Sequence, residues 1–91
     1  MNNCFDPKLL VGKNIVITGA GRGIGLSIAK AMSECGATII AHSGRTGTAK
    51  NLSGIASSIF EADFSDTDSI SEFVEWIKSE STTIDVLINN A

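Results

Sequence analysis

Gly19, Gly21, Gly23 and Gly25 fall at alternate positions in Thr18-Gly19-Ala20-Gly21-Arg22-Gly23-Ile24-Gly25, the segment of this sequence best suited to chemistry. Where such a turn joins a strand to a helix, its backbone N–H groups and the positive end of the helix dipole can hold the pyrophosphate of a dinucleotide. Glycine serves that purpose in two ways. Some positions need backbone angles that other residues resist, and a Cβ at others would push away the phosphates or the packed helix. Spacing then discriminates between phosphate-binding turns. The pattern G-x-G-x-x-G fails, because starting at Gly19 puts Ile24 in the third place and starting at Gly21 puts Leu26 there. A P-loop fails as well, since its second glycine would be Ile24 and no Lys-Ser or Lys-Thr follows. What remains is T-G-x-x-x-G-x-G, met by Thr18, Gly19, Gly23 and Gly25.

A turn of this kind needs a strand before it and a helix after it. Asn14-Ile15-Val16-Ile17-Thr18-Gly19 is a short apolar, β-branched run that suits a strand buried on both faces. From Gly23 to Cys35 the residues Ile24, Ile28, Ala31, Met32 and Cys35 recur at three- and four-residue steps, and Gly36 supplies a stop, which predicts a helix. Thr38 to His42 repeats the buried-strand pattern and completes a βαβ unit. The stretch from Ser43 to Ser57 is polar and dotted with glycine, with a short helical possibility at Thr48 to Leu52. Ser58 to Ala62 reads as a third strand ending at Asp63. Ser65-Asp66-Thr67-Asp68 offers an N-cap and a capping-box spacing ahead of Ile70, Phe73, Val74 and Ile77, one apolar helical face running to about Glu80. Ile84 to Ile88 is a fourth strand. Strands alternating with helices imply an α/β fold, a doubly wound parallel sheet of order 3-2-1-4. In that order strands 1 and 4 are neighbours, and Gly19 converges with Asn89-Asn90-Ala91 on one crevice.

With these motifs in place the sequence resembles the short-chain dehydrogenase/reductase family over nearly its whole length. Asn89-Asn90-Ala91 is similar to the family's Asn-Asn-Ala-Gly, and Asp63 matches the carboxylate that usually meets the adenine. The extended, epimerase-like branch would need glycine where Arg22 stands. The resemblance implies a Rossmann-like fold and a cofactor-binding set of Gly19, Ala20, Gly21, Arg22, Gly23, Ile24, Gly25, Ser43, Arg45, Asp63, Phe64, Asn90 and Ala91. It leans toward NADP(H) over NAD(H). An Asp or Glu that would hold a free 2′-hydroxyl is missing at the end of the second strand, where His42-Ser43-Gly44-Arg45 stands, and Arg22 matches a position that often meets the 2′-phosphate. His42, the one histidine, falls at the adenosine end, which favours a pocket-wall or exposed role over a general base. Trp76, one residue off its helix face, suits partial packing.

Complete relatives act on a carbonyl or alcohol with a Tyr-x-x-x-Lys pair, an upstream Ser and often a helical Asn, and this sequence contains no tyrosine. No catalytic residue and no metal site is assigned. Residues 1–91 are expected to be a truncated NAD(P)-binding domain, the N-terminal part of a longer oxidoreductase without its catalytic C-terminal part; a stand-alone nucleotide-binding module and an inactive remnant are the alternatives. The glycine turn looks like that of 3-oxoacyl-acyl-carrier-protein reductases, and a complete protein of this family is expected to be a homo-oligomer.

Composition excludes other classes. Hydrophobic residues make up 43% and charged residues 19% of the 91, ordinary globular usage. A net charge of -3 with no basic run offers no footprint for nucleic acid or an anionic membrane. The N-terminus lacks a signal-peptide pattern, so a cytoplasmic protein with Cys4 and Cys35 reduced is expected.

Overall fold

Alternation along the central strand decides the layers. In β1 (Asn14–Ile17), Ile15 and Ile17 point to one side of the sheet and Val16 to the other, and none is more than 1% exposed. Each side therefore needs a cover. In the computed structural model, which describes residues 6, 8–44, 47–65, 67–80 and 83–90, two helices supply it. α1 (Gly23–Glu34) lays Ala29, with Leu26, Ile28 and Met32 around it, on Ile15, Ile17, Ile39 and Ala41. α2 (Thr67–Glu80) lays Phe73, flanked by Trp76 and Ile77, on Val16 and Ile40.

The remaining strands are β2 (Thr38–Ser43), β3 (Ser58–Glu61) and β4 (Val86–Ile88). They form one sheet of order β3-β2-β1-β4 in which every pair is parallel. This is the expected doubly wound α/β arrangement. The register sets Ile15 between Ile39 and Val86 and Ile17 between Ala41 and Ile88, so the C-terminal ends of β1, β2 and β4 finish side by side.

α1 stops for a local reason. Gly36 adopts a φ of +93°, Ala37 N–H returns to the Met32 carbonyl (3.2 Å) and Gly36 N–H to that of Ser33 (3.0 Å), a Schellman ending. Between β2 and β3 the chain makes a single 3₁₀ turn, Ala49–Leu52, anchored by the fully buried Leu52. Glycines at positive φ, Gly47 and Gly54, bracket it and confine it to one turn.

Three sequence expectations are corrected. Ile24 is 74% exposed, because α1 turns Gly25 and Ala29 toward the sheet, where small residues allow close approach. Of the expected face of α2, Phe73 and Ile77 pack inward, whereas Ile70 and Val74 are exposed and Trp76 joins the inward face in their place. Cys35 is disulfide-bonded, against the expectation of reduced thiols; Cys4, the only other cysteine in the sequence, lies outside the described residues. Asp66, within the expected cap of α2, lies outside them too. Among the described residues no helix is long and apolar enough to cross a membrane.

Candidate functional site

The chain leaving β1 is tied to its neighbours on both sides. Thr18 N–H donates to the Ile88 carbonyl (3.0 Å), and the Thr18 hydroxyl oxygen accepts Asn90 N–H (3.0 Å). Gly19 sits at φ +63°, its N–H donating to His42 Nδ1 (3.0 Å) and its carbonyl accepting Asn90 Nδ2–H (3.0 Å). Ala20 N–H donates to the His42 carbonyl (2.8 Å), and Asn51 Nδ2–H donates to the Gly21 carbonyl (2.8 Å). The turn is thus a knot between the ends of β2 and β4 and the 3₁₀ turn.

Its glycines do different things. A Cβ on Gly21 would lie 2.5 Å from Thr48 Oγ1 and 2.6 Å from Ser43 Oγ. One on Gly25 would lie 2.5 Å from Asn90 Nδ2 and collide with the Gly19 carbonyl oxygen. These two keep room for packing behind the turn. Gly23, at φ +60°, has nothing within 4 Å of where its Cβ would stand. Its outer side is open, as a cradle for a bound group must be.

Gly23 is also one of the residues that line a cleft of about 660 Å³. The turn lines it with Gly19, Gly21, Arg22 and Gly23; His42 and Gly44 come from the end of β2, Thr48 from the loop beyond and Asn90 from the end of β4. α1 begins on this wall. Its N-cap, Arg22, is extended and makes no side-chain cap, the first turn holds no acidic residue, and Leu26 N–H to the Arg22 carbonyl (3.2 Å) closes the first turn. The N–H groups before Leu26 have no acceptor within the helix, and the positive end of its dipole points at the cleft wall. An uncapped helix N-terminus of this kind favours an anion.

The structure brings Gly19, Gly21, Arg22, Gly23 and Asn90 of the expected set together on the cleft. The others stand around it. Ala20 is buried with its N–H bonded to His42, and Gly25 is buried beneath Gly19. Ile24 projects outward from the first turn of α1. Ser43 is fully buried behind Gly21, its hydroxyl paired with that of Thr48. Asp63 is exposed at the end of β3, where Ser65 N–H donates to its carboxylate (2.9 Å) and holds its pKa below the usual range. Phe64 stacks on the His42 ring, centroids 3.7 Å apart and planes at 10°. Arg45 and Ala91 lie outside the described residues.

His42 is the residue whose importance the sequence hides. It is 1% exposed, with Nδ1 on Gly19 and Nε2 2.7 Å from the Ala62 carbonyl. Burial pushes its pKa down, opposed in smaller part by the bond to Ala62. Of the two roles expected for His42, pocket wall or exposed, the first holds, since it lines the cleft; Thr48 and Gly44 were missed, and only their place in a polar, glycine-dotted segment could have pointed to them.

The family model for short chain dehydrogenases matches residues 13–91. The chain belongs to the short-chain dehydrogenase family. Among curated relatives, the 3-oxoacyl-[acyl-carrier-protein] reductase of Chlamydia trachomatis is 40% identical over 90 residues, covering 91% of this chain and 36% of that protein. The 2-dehydro-3-deoxy-D-gluconate 5-dehydrogenase of Pseudoalteromonas atlantica is 35% identical over 94 residues, covering 90% of this chain and 35% of that protein. The chain thus spans about a third of the length of the curated relatives it matches. Among solved structures, the NADP complex of RhlG from Pseudomonas aeruginosa superposes with a TM-score of 0.77 at 28% identity, over 93% of this chain and 37% of that one. Short-chain dehydrogenases named for different substrates therefore share this segment.

Proposed function

We propose that the cleft holds NADP(H) and that these 91 residues form the cofactor-binding N-terminal portion of a short-chain oxidoreductase whose catalytic part is not among them. The observation that carries the reading is the uncapped N-terminus of α1 opening, through the bare Gly23, on the cleft. Arg22 and Gly23, with Ile24 at the first turn of α1, border the pyrophosphate, while Ala20 and Gly25 pack behind them and hold the turn in shape. Asp63 and Phe64 border the adenine, and Asn90 with Ala91 borders the nicotinamide half. Ser43 occupies the place where relatives that use NAD carry an acid, and Arg22 with Arg45 reads the 2′-phosphate.

NADP(H) supplies or accepts the hydride that interconverts a carbonyl and an alcohol. The chain's own part is to bind and orient it. The Tyr-x-x-x-Lys pair of complete family members is not in this sequence. The carbonyl names of the relatives favour a small carbonyl or alcohol substrate, with a 3-oxoacyl thioester as the leading class, acted on by a cytoplasmic homo-oligomer.

A charge-assisted bond from Arg22 to the 2′-phosphate is worth about 1.5–3 kcal/mol, or roughly ten- to a hundredfold in affinity. In the full-length protein Arg22→Ala is therefore expected to weaken NADPH by at least about tenfold and to leave NADH nearly unchanged, measured by isothermal titration. Equal losses for both would mean that Arg22 shapes the turn and does not read the phosphate.

A further inference from the structure

The two nitrogens of His42 face backbone groups of opposite kind. Gly19 N–H can only donate, so Nδ1, 3.0 Å away, must be unprotonated. The Ala62 carbonyl can only accept, so Nε2, 2.7 Å away, must carry the proton. One form satisfies both, the neutral Nε2–H imidazole. The ring is held there by Phe64 stacked at 3.7 Å and by Phe73 edge-on at 5.5 Å. The main chain of the same residue takes Ala20 N–H as well, so His42 receives two consecutive N–H groups of the turn.

We propose that His42 is a positioning residue for the cofactor: as an obligatorily neutral imidazole it aims the Gly19 peptide of the phosphate turn and couples that turn to the wall at the end of β3. This rests on the dinucleotide reading of the cleft. Asn90 fixes the Gly19 carbonyl and His42 fixes its N–H, so together they orient the residue from which the phosphate-facing turn departs. The same ring, through Ala62, stays in step with Asp63 and Phe64, the residues assigned to the adenine.

A proton on Nδ1 would set two donors against each other. Gly19 N–H would lose its acceptor, and either the turn opens or the ring swings and releases Ala62 as well. Ionisable groups on the surrounding elements are Arg22 on the turn, Glu61 and Asp63 at the end of β3, and Asp68, Glu72, Glu75 and Lys78 on α2. The polar contacts of the ring itself are with neutral backbone groups, and burial rather than a neighbouring charge lowers its pKa. The folded state thus binds the proton less readily than the unfolded chain. The contribution of His42 is complete above the ordinary histidine value and is lost as pH falls through the lowered one.

Calorimetric titration of the full-length protein with ADP-ribose between pH 4.5 and 8 tests the proposal. ADP-ribose keeps the adenosine and pyrophosphate and avoids a 2′-phosphate, which itself titrates near pH 6. Wild-type affinity is expected to be level above about pH 6.5 and to fall by up to about tenfold per unit once His42 takes up a proton. His42→Asn keeps an acceptor for Gly19 N–H and cannot gain a proton, so its profile should lack that fall. His42→Phe fills the space without an acceptor and should bind about tenfold more weakly throughout, with Trp76 fluorescence reporting that the fold persists. A wild-type profile that matches His42→Asn, or a folded His42→Phe that binds as wild type does, overturns the positioning role and leaves the cofactor reading intact. Absence of wild-type binding to both ADP-ribose and NADP⁺ overturns the cofactor reading and this inference with it. If His42→Phe does not fold, the comparison of wild type with His42→Asn decides.

Discussion

Gly25→Ala isolates the packing role of the glycine turn from its contact with a ligand. The added Cβ would stand 2.5 Å from Asn90 Nδ2 and 3.0 Å from the Gly19 carbonyl carbon, with the Gly19 oxygen closer still. Ordinary contact between such atoms lies near 3.5 Å, so turn and helix must separate by about 1 Å. The obstacle is backbone, so no side-chain rotation relieves it. Overpacking of this kind costs about 1–3 kcal/mol. Separation also strains the Asn90 Nδ2–H bond to the Gly19 carbonyl, worth about another 1 kcal/mol. Alanine returns at most about 1 kcal/mol through helix propensity. The net expectation is a loss of about 2 kcal/mol, or a urea midpoint lowered by about 1 M at a slope near 2 kcal/mol/M. Urea unfolding of the full-length protein followed through Trp76 is the assay, with Gly23→Ala as its partner. At Gly23 there is open space and only the φ of +60° resists a side chain, which costs about 1–2 kcal/mol. The diagnostic is binding in the folded variants: NADP⁺ affinity should fall for Gly23→Ala because its Cβ enters the cradle. An unchanged urea midpoint for Gly25→Ala would refute the claim that Gly25 is selected by the Gly19 carbonyl.

The 91-residue chain expressed by itself is expected to oxidise or reduce no ketone or alcohol, because it contains no tyrosine to exchange the proton; NADPH absorbance in purified protein checks this, and turnover that survives repurification would refute it. The same chain is expected to self-associate. In β4, Val86 is 40% and Leu87 63% exposed, and the strand forms an edge of the described sheet, so its free backbone groups offer a template to another chain. Sedimentation velocity reads the outcome, and a monodisperse monomer at tens of micromolar would show that the edge is adequately protected.

Much of this architecture is written in local pattern. The apolar runs at Ile15 to Ile17 and Ile39 to Ala41 have the composition of strands covered on both faces, and both are almost fully buried. The spacing of Gly19, Gly23 and Gly25 identified the turn because each glycine answers a constraint that side chains resist: positive φ at the first two and a backbone collision at the third. Periodicity misled where small residues carry the contact. Gly25 and Ala29 form the sheet-facing strip of α1, yet a scan for large apolar residues selects Ile24, which faces solvent.

The sequence pointed to His42 as pocket wall, but its hold on the turn was illegible for a deeper reason. Its partners, Gly19 and Ala62, are backbone groups twenty-three and twenty positions away on either side, and they meet it only because β1, β2 and β3 are adjacent and in register. No spacing rule encodes such a contact, since any residue supplies a backbone N–H or carbonyl. The sequence can therefore name the turn that faces the phosphate, but the device that aims it follows from the order of the strands. Because that device is a side chain able to change charge, while Thr18 and Asn90 on the opposite flank cannot, the two supports of the Gly19 peptide should respond differently to acid. The β4 side persists, and the β2 side lets go first.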